Sequence, residues 1–557
     1  MTEIEDCDQI EEAVESVWPA PSFRKHQKET IIEIVEALFI DDYDGVALSA
    51  PTGAGKSLIL YTVSKVLAKL QQQKTFSTTP LNTLIDQIEN DELLDGAVTL
   101  KGKNNYECVH PMDRGKSVDD AICQRMTGFN CEYKDEYPSE GGCPYYGKKA
   151  LGEVSNTLVT NLSYLMTNAM IPEEYGFEPR ILLEIDEVQN VEDFALQFIG
   201  FTINHDRIPI DFDKIQQMPR KGCDMSEMTE WLNILLGQLT NKANRLSSQQ
   251  NRTTAENNEL TKINRIKHRI INFLEDQKKG KHWTKTRTDS GSVEFEPVFI
   301  GRFIDRFLWS QADKYVLSSA TIPKGDFLDE IGLGDDDIKR IDVPSTFPKE
   351  RRPVITDYVG KMTRDERRAT MPKMADKIKE IANHHRGENG FIHCNSYNIM
   401  EHLYELLPKS IQRRTMKQDP DDREASLEKW FKSNKQIFLS VAMDEGISLD
   451  DDRARWQVVA KASYPFVGDE RVSYRLNELN DWGWYNNQAA INLQQAVGRG
   501  MRSKNDHCVT YLLDSSFKSL INQNRSLFED WFLESINCGV SDEIDALVPE
   551  SKFSLSA

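Results

Sequence analysis

The chain reads as an α/β protein of two parallel-sheet domains, the first interrupted by a cysteine-bearing segment and by a helical insertion. Three observations predict this. Short apolar runs ending in hydroxyl or acidic residues alternate with helix-spaced segments, the pattern of a parallel sheet with crossover helices. The pattern lapses twice, over 101–152 and 204–294, and resumes each time. A proline-marked stretch from Val343 to Pro353 separates a first series of such runs from a second.

Bulk properties bound the answer. A length of 557 residues allows several domains, and 39% hydrophobic with 28% charged residues is a globular composition. The acidic start, MTEIEDCDQIEE, lacks the basic and apolar regions of a secretory leader, and no apolar run is long enough to span a membrane. Nine cysteines, an odd number, argue against a disulfide framework. These features predict a cytoplasmic (nucleoid) or nuclear, non-secreted protein. The net charge of −21 repels polyanions at long range, yet residues 242–287 hold twelve Lys/Arg against four Asp/Glu. That basic island is either a solvated helix face or a nucleic-acid contact.

In chain order, an acidic lead-in stops at Trp18-Pro19-Ala20-Pro21, and Phe23-Arg24-Lys25-His26-Gln27 opens an amphipathic helix. The apolar run Gly45 to Leu48 then meets Ala50-Pro51-Thr52-Gly53-Ala54-Gly55-Lys56-Ser57. A strand turning through glycines into a helix N-terminus offers backbone N–H donors to a triphosphate. Lys56 is placed for the β- and γ-phosphates and the Ser57 hydroxyl for Mg²⁺, although Ala50 stands where this motif usually begins with glycine. Thr75 to Pro80 reads as a second strand ending in hydroxyls.

Cys108, Cys123, Cys131 and Cys143 follow in a stretch too polar to bury a core of its own. A metal centre is one way to hold such a stretch. The spacing leaves a four-iron cluster, zinc and four unligated thiols all open, since it lacks the short knuckles of structural zinc sites. The strand pattern resumes at Thr157 to Leu162 and at Ile181 to Glu187. The latter ends in adjacent acids, Asp186 to hold Mg²⁺ and Glu187 to polarise water. Alternation puts Glu184 on the face of Asp186, with no evident partner.

Helix-spaced apolar residues at Trp231 to Leu239 and Leu260 to Leu274 predict a helical insertion carrying the basic island, and Val316 to Thr321 returns to the first sheet. The second series comprises Gly390 to Ser396, Ile437 to Val441 leading to Asp444-Glu445-Gly446, and Trp456 to Ala460. Near the end, Gln495-Ala496-Val497-Gly498-Arg499-Gly500-Met501-Arg502 sets two arginines three apart. Paired guanidiniums suit a polyphosphate held by another domain.

With these segments in order, the chain resembles the superfamily 2 iron–sulfur DNA helicases of the XPD/Rad3/DinG group. The resemblance is carried by FRKHQ, APTGAGKS, STTP, DEVQN, SSAT, IHCNSY, DEGISL and QAVGRGMR, and by KGKNNYEC at Lys101 to Cys108 with CPYY at Cys143 to Tyr146. It implies two RecA-like motor domains, an inserted 4Fe-4S domain held by the four cysteines, and a helical arch. The implied bounds are 1–100, 153–203 and 295–345 for the first motor domain, 101–152 for the cluster domain, 204–294 for the arch and 346–557 for the second motor domain.

It also implies roles. Arg24 and Gln27 would recognise adenine, and Pro51, Thr52, Gly53, Ala54, Gly55, Lys56, Ser57, Glu445 and Gly446 would line the nucleotide. Lys56, Asp186, Glu187, Gln189, Gln495, Arg499 and Arg502 would act in MgATP hydrolysis. The expected partners are single-stranded and forked DNA, traversed 5′ to 3′ by a monomer in repair or replication. Gln189 stands where the group usually has histidine, and Ser448 where it often has aspartate. A translocase that remodels protein–DNA complexes and an ATP-gated strand clamp are the rival readings.

Overall fold

The computed structural model describes residues 4, 6–126, 128–134, 141–171, 175–204, 218–220, 222–249, 253–288, 291–433, 435–441, 449, 451–501 and 506–538. The helix Cys7–Val17, capped by the Asp6 carboxylate, leads to Trp18, whose ring stacks on Phe23 at 4.2 Å. That stack fixes where the next helix, Gln27–Phe39, begins.

The first lobe contains β1 (Gly45–Ser49), β2 (Thr75–Thr79), β3 (Val98–Thr99), β4 (Thr157–Asn161) and β5 (Arg180–Asp186). Then come β6 (Phe201–Ile203), β7 (Trp283–Arg287) and β8 (Val293–Pro297) in the insertion, and β9 (Ala312–Ser319) and β10 (Ile338–Asp342) back in the lobe. The lobe's sheet runs β10-β1-β9-β5-β2-β4-β3 with every pairing parallel. Its strands are buried on both faces, which is why they read as continuous apolar runs. The order sets β1, β9 and β5 side by side, so the phosphate loop, Ser318-Ser319 and Asp186 emerge together at the C-terminal edge.

The second lobe holds β11 (Val354–Gly360), β12 (Gly390–His393), β13 (Thr415–Lys417), β14 (Ile437–Ser440), β15 (Trp456–Val459) and β16 (Val509–Asp514). They pair in parallel in the order β11-β16-β15-β12-β14-β13. Gly390 opens β12 because the buried Trp456 ring covers it: a Cβ there would lie 2.0 Å from the indole.

The insertion contains the helices Met225–Ser247 and Thr254–Lys278, the latter started by a capping box of Thr253 and Glu256. It is not purely helical. β6, β8 and β7 form an antiparallel sheet whose Phe201, Trp283 and Phe295 share one core with Leu235, Leu239, Ile263 and Phe273.

The expectation of a 4Fe-4S domain is overturned. Among the described residues, no group of three or more His, Cys, Asp or Glu side chains is placed to hold a metal ion. Cys108, Cys123, Cys131 and Cys143 sense one another's charge without converging as ligands. Cys108 and Cys143 instead join the first lobe's hydrophobic cluster with Val118, Ala121 and Tyr145, and burial pushes the thiols of Cys108, Cys131 and Cys143 up. Spacing and composition suggested a metal staple because they are blind to the surface the segment covers. It borrows the lobe's core. The Asp113 carboxylate ties it further by accepting from the Ile122 backbone at 2.7 Å and from Lys116 at 2.8 Å. Tyr106 packs edge-on against Tyr145, and Tyr145 against Tyr146, so these rings serve packing. No helix among the described residues is long and apolar enough to cross a membrane.

Candidate active site

The loop between β1 and the helix Lys56–Gln71 holds Pro51, Thr52, Gly53, Ala54 and Gly55. Gly53 and Gly55 both take φ of +84°, the left-handed region open to glycine. Side chains also close on them: a Cβ at Gly53 would meet the Phe347 ring at 2.2 Å, and one at Gly55 the Gln27 amide at 2.4 Å. Arg24 Nη1 donates to the Gly53 carbonyl at 2.9 Å, and Gln27 Nε2 to the Ala54 carbonyl at 3.0 Å. Gln27 Oε1 in turn accepts from the Arg24 backbone at 2.8 Å. Arg24 and Gln27, the residues the resemblance points at adenine, therefore also brace the loop.

Opposite the loop, β5 ends at Asp186, and Glu187 takes φ of +56°. A non-glycine residue there is a local strain held by its surroundings. The twist aims the Glu187 carboxylate back at the loop, where Lys56 Nζ lies 3.4 Å from Oε1. Gln189 Nε2 donates to Glu187 Oε2 at 2.9 Å, and Ser319 Oγ at the end of β9 lies 3.4 Å from the same oxygen. Burial raises the carboxyl of Asp186, partly offset by the Lys56 ammonium. For Glu187 burial acts in the same sense, but Lys56 and the donors Gln189 and Gln495 outweigh it and hold the group below its usual range. The two neighbouring acids are thus shifted in opposite directions, Asp186 up and Glu187 down. Ser57 and Asp186 also line one cavity of about 30 Å³ with Ser77, Thr79 and Glu184. The partner missing from the sequence for Glu184 is there: Ser64 Oγ on the helix Lys56–Gln71 donates to its Oε1 at 3.0 Å.

The second lobe completes the cleft. The helix Trp482–Val497 brings Gln495 Nε2 to within 2.7 Å of Thr321 Oγ1 and 3.5 Å of Glu187 Oε2. Its next turn, Gly498–Gly500, is pressed against the phosphate loop, a Cβ on Gly498 lying 3.4 Å from Thr52 Oγ1. Arg499 is buried on that turn, close enough to His393 to help burial hold the imidazole neutral. The Gln457 side chain braces the turn, donating to the Val497 carbonyl at 3.1 Å while its Oε1 lies 3.2 Å from His393 Nε2. Arg502, Glu445 and Gly446, with Ser448, lie outside the described residues.

Sequence reasoning missed Phe347 over Gly53 and Ser319 beside Glu187. The SSAT phrase was the only signal for the second, and nothing signalled the first. It also missed a buried charged cluster at the far end of the helix Trp482–Val497, where Arg471 and Arg475 meet Glu192.

Comparison with known proteins places this geometry. A model of the type III restriction enzyme res subunit matches residues 20–109, and a helicase C-terminal domain matches residues 378–535. The ATP-dependent DNA helicase XPD of Sulfolobus acidocaldarius is 29% identical over 133 residues, 21% of this chain and 24% of that protein. The aligned part thus spans about a quarter of the curated relative. Among solved structures, S. tokodaii Xpd4 superposes with a TM-score of 0.57 at 16% identity, covering 92% of this chain and 99% of that one. A second XPD helicase structure gives 0.59 at 16% identity, covering 91% and 98%. At such identity these likenesses speak for the fold, two parallel-sheet lobes with a helical insertion in the first. Taken with the two matched domains, one in each lobe, they make the chain similar in fold to XPD helicases.

Proposed function

We propose that the protein is an ATP-driven motor on single-stranded DNA that moves 5′ to 3′ and separates duplex ahead of it, in repair or replication. The observation that carries this is Gln495, a residue of the second lobe hydrogen-bonded to Thr321 and within 3.5 Å of Glu187 in the first. A group that senses Glu187 from across the cleft links the state of the nucleotide to the relation of the lobes.

The residues fit MgATP. Glycine-rich backbone and Lys56 would hold the phosphates, while the Ser57 hydroxyl and Asp186 carboxyl, facing one small cavity, offer the one or two protein oxygens magnesium takes beside phosphate and water. Bound magnesium would neutralise phosphate charge. Glu187, kept ionised by its neighbours, orients and deprotonates the attacking water. Arg499, on the turn whose Gly498 packs against Thr52, would stabilise charge on the transferred phosphoryl group. Arg24 and Gln27 hold the loop in shape for these contacts.

A strand path is supported by a cleft of about 980 Å³ between the helix Thr254–Lys278 and the first lobe. Its lining sets Arg265, Arg302 and Arg306 beside Phe303 and Phe307, with Glu275 and Asp276 on the same wall as Arg265. Cations that track a backbone beside rings that stack bases are what a single strand requires. The basic island of the sequence thus contributes one wall of a cavity in an acidic protein.

The test is ATPase and unwinding on 5′-tailed, 3′-tailed and RNA–DNA forks. Lys56→Ala should lose hydrolysis by on the order of 10³-fold while keeping strand affinity. Strand-stimulated hydrolysis without separation of any fork would reduce the activity to translocation, and no hydrolysis by the wild-type chain would end the motor reading.

A further inference from the structure

The helix Trp482–Val497 has two ends with different chemistry. Its C-terminal end delivers Gln495 and the Arg499 turn to the nucleotide cleft, where Gln495 hydrogen-bonds Thr321 and an ion pair, Lys324 with Glu529, joins the lobes. Its N-terminal end is anchored in a buried charged cluster about 16 Å away, at 1.5 Å per residue from Trp484 to Gln495. There Arg471 and Arg475, on the helix Glu470–Asn477, meet Glu192 of the first lobe. Arg475 also pairs with Glu330 of the first lobe and, at 2.5 Å, with Asp481. Asp481 caps the long helix by accepting from the Trp484 backbone at 3.2 Å. The Trp484 indole donates to Glu192 Oε2 at 3.3 Å, and the Arg475 guanidinium lies 4.2 Å from its ring centroid. Arg471 Nε donates to the Val298 carbonyl where the insertion rejoins the lobe.

Glu192 lies in the first turn of the helix Val191–Ile199, five positions beyond Glu187. Both chains of connection to the cleft are therefore short and rigid. Separating the lobes at this cluster would strand buried charges, Arg475 being fully buried and Glu192 6% exposed. Separating them at the cleft end parts the ion pair of Lys324 with Glu529 and the hydrogen bonds of Gln495 to Thr321 and Glu187. The junctions differ in the number of buried charges, and the one around Arg475 is the harder to part.

We propose that Glu192, Arg471 and Arg475 form a pivot that stays closed while the opposite end of the helix Trp482–Val497 swings, and that they are positioning residues for Gln495 and the Arg499 turn. The proposal rests on the cleft being an ATPase.

The experiment uses the full chain with a poly(dT) oligonucleotide, ATP and a non-hydrolysable ATP analogue. Glu192→Gln, Arg471→Gln and the double variant are compared for nucleotide affinity, strand-stimulated kcat and thermal midpoint. Each single variant should lower kcat by about tenfold or more with nucleotide affinity changed less than about threefold, and the double should be no worse than the poorer single. Multiplying losses, or unchanged kcat in folded variants, overturns the proposal. Should Glu192→Gln fail to fold, Trp484→Phe removes only the indole donor and should lower kcat about threefold, unchanged kcat again counting against it. Hydrogen exchange of the wild type is independent of any variant. Amides of residues 470–477 should keep equal protection with and without the analogue while those of 495–501 change, and loss of protection at 470–477 on binding would show a latch that breaks. Absence of ATPase activity in the wild type would refute the cleft reading but leave the thermal coupling of Glu192 and Arg471 in place, so the two failures are distinguishable.

Discussion

Replacing Glu184 by glutamine should make the first lobe more stable at neutral pH. Glu184 is fully buried on β5 beneath the helix Lys56–Gln71, and burial, only partly offset by hydrogen bonds from Ser64 and Ser77, pushes its carboxyl up to about 8 from 4.5. The folded state therefore keeps a proton that the unfolded chain releases above pH 4.5, so stability falls as pH rises and levels off above pH 8. Each pH unit between those limits removes about 1.4 kcal/mol, which leaves about 3 kcal/mol lost at pH 7 and about 4 kcal/mol between pH 5 and 8. Glutamine has nearly the same shape, can still bond Ser64 and does not titrate. Urea unfolding of both proteins from pH 5 to 8.5, followed on the transition of the first lobe, measures the difference. The curves should diverge with pH, the wild type falling away from Glu184→Gln. Parallel curves would falsify the assignment of a proton to Glu184 in the fold.

Arg180 is buried and donates to the carbonyls of Thr75 and Ser155 at 2.8 and 3.3 Å and to that of Gly152. Arg180→Met should cost about 3 kcal/mol by leaving those carbonyls without a donor, read as a lowered urea midpoint with an unchanged slope. Gly390→Ala should cost about 1–3 kcal/mol, because the added carbon meets the ring of the buried Trp456, and differential scanning calorimetry would place the loss in the second lobe. Arg265→Ala and Arg302→Ala should weaken poly(dT) binding and each reduce the salt slope by about 0.7, measured by fluorescence anisotropy across salt concentrations. An unaltered slope in both would remove the arch-side cleft from the strand path.

That a glycine-bearing loop follows β1, that two acids end β5 and that a glycine-flanked turn ends the helix Trp482–Val497 was legible because each is a fixed local order of residues. The parallel strands were legible for a related reason, since burial on both faces leaves nearly unbroken apolar runs. What was not legible depends on contacts distant in sequence. The position of β9 between β1 and β5 is what brings Ser319 beside Glu187, and no local pattern encodes it. Ser64 meets Glu184 across a helix–strand interface, although each residue alone reads as a misplaced polar group. Arg471 and Arg475 fall in a stretch that carries no motif, and it is the first lobe's Glu192 that buries them. The four cysteines misled for the opposite reason: their spacing left the ligand question open, the resemblance answered it with a cluster, and packing against the lobe accounts for the segment without one. The small sheet of the insertion escaped notice because β6 and β8 are separated by two long helices.

Lys56 and Glu187 lie 3.4 Å apart across the cleft. On the proposed reading, a triphosphate in the loop and the Glu187 carboxylate would compete for that one ammonium. Whatever drew Lys56 toward phosphate would leave Glu187 the stronger base beside the water it has to activate, so substrate binding and activation of the base would be one exchange of partners.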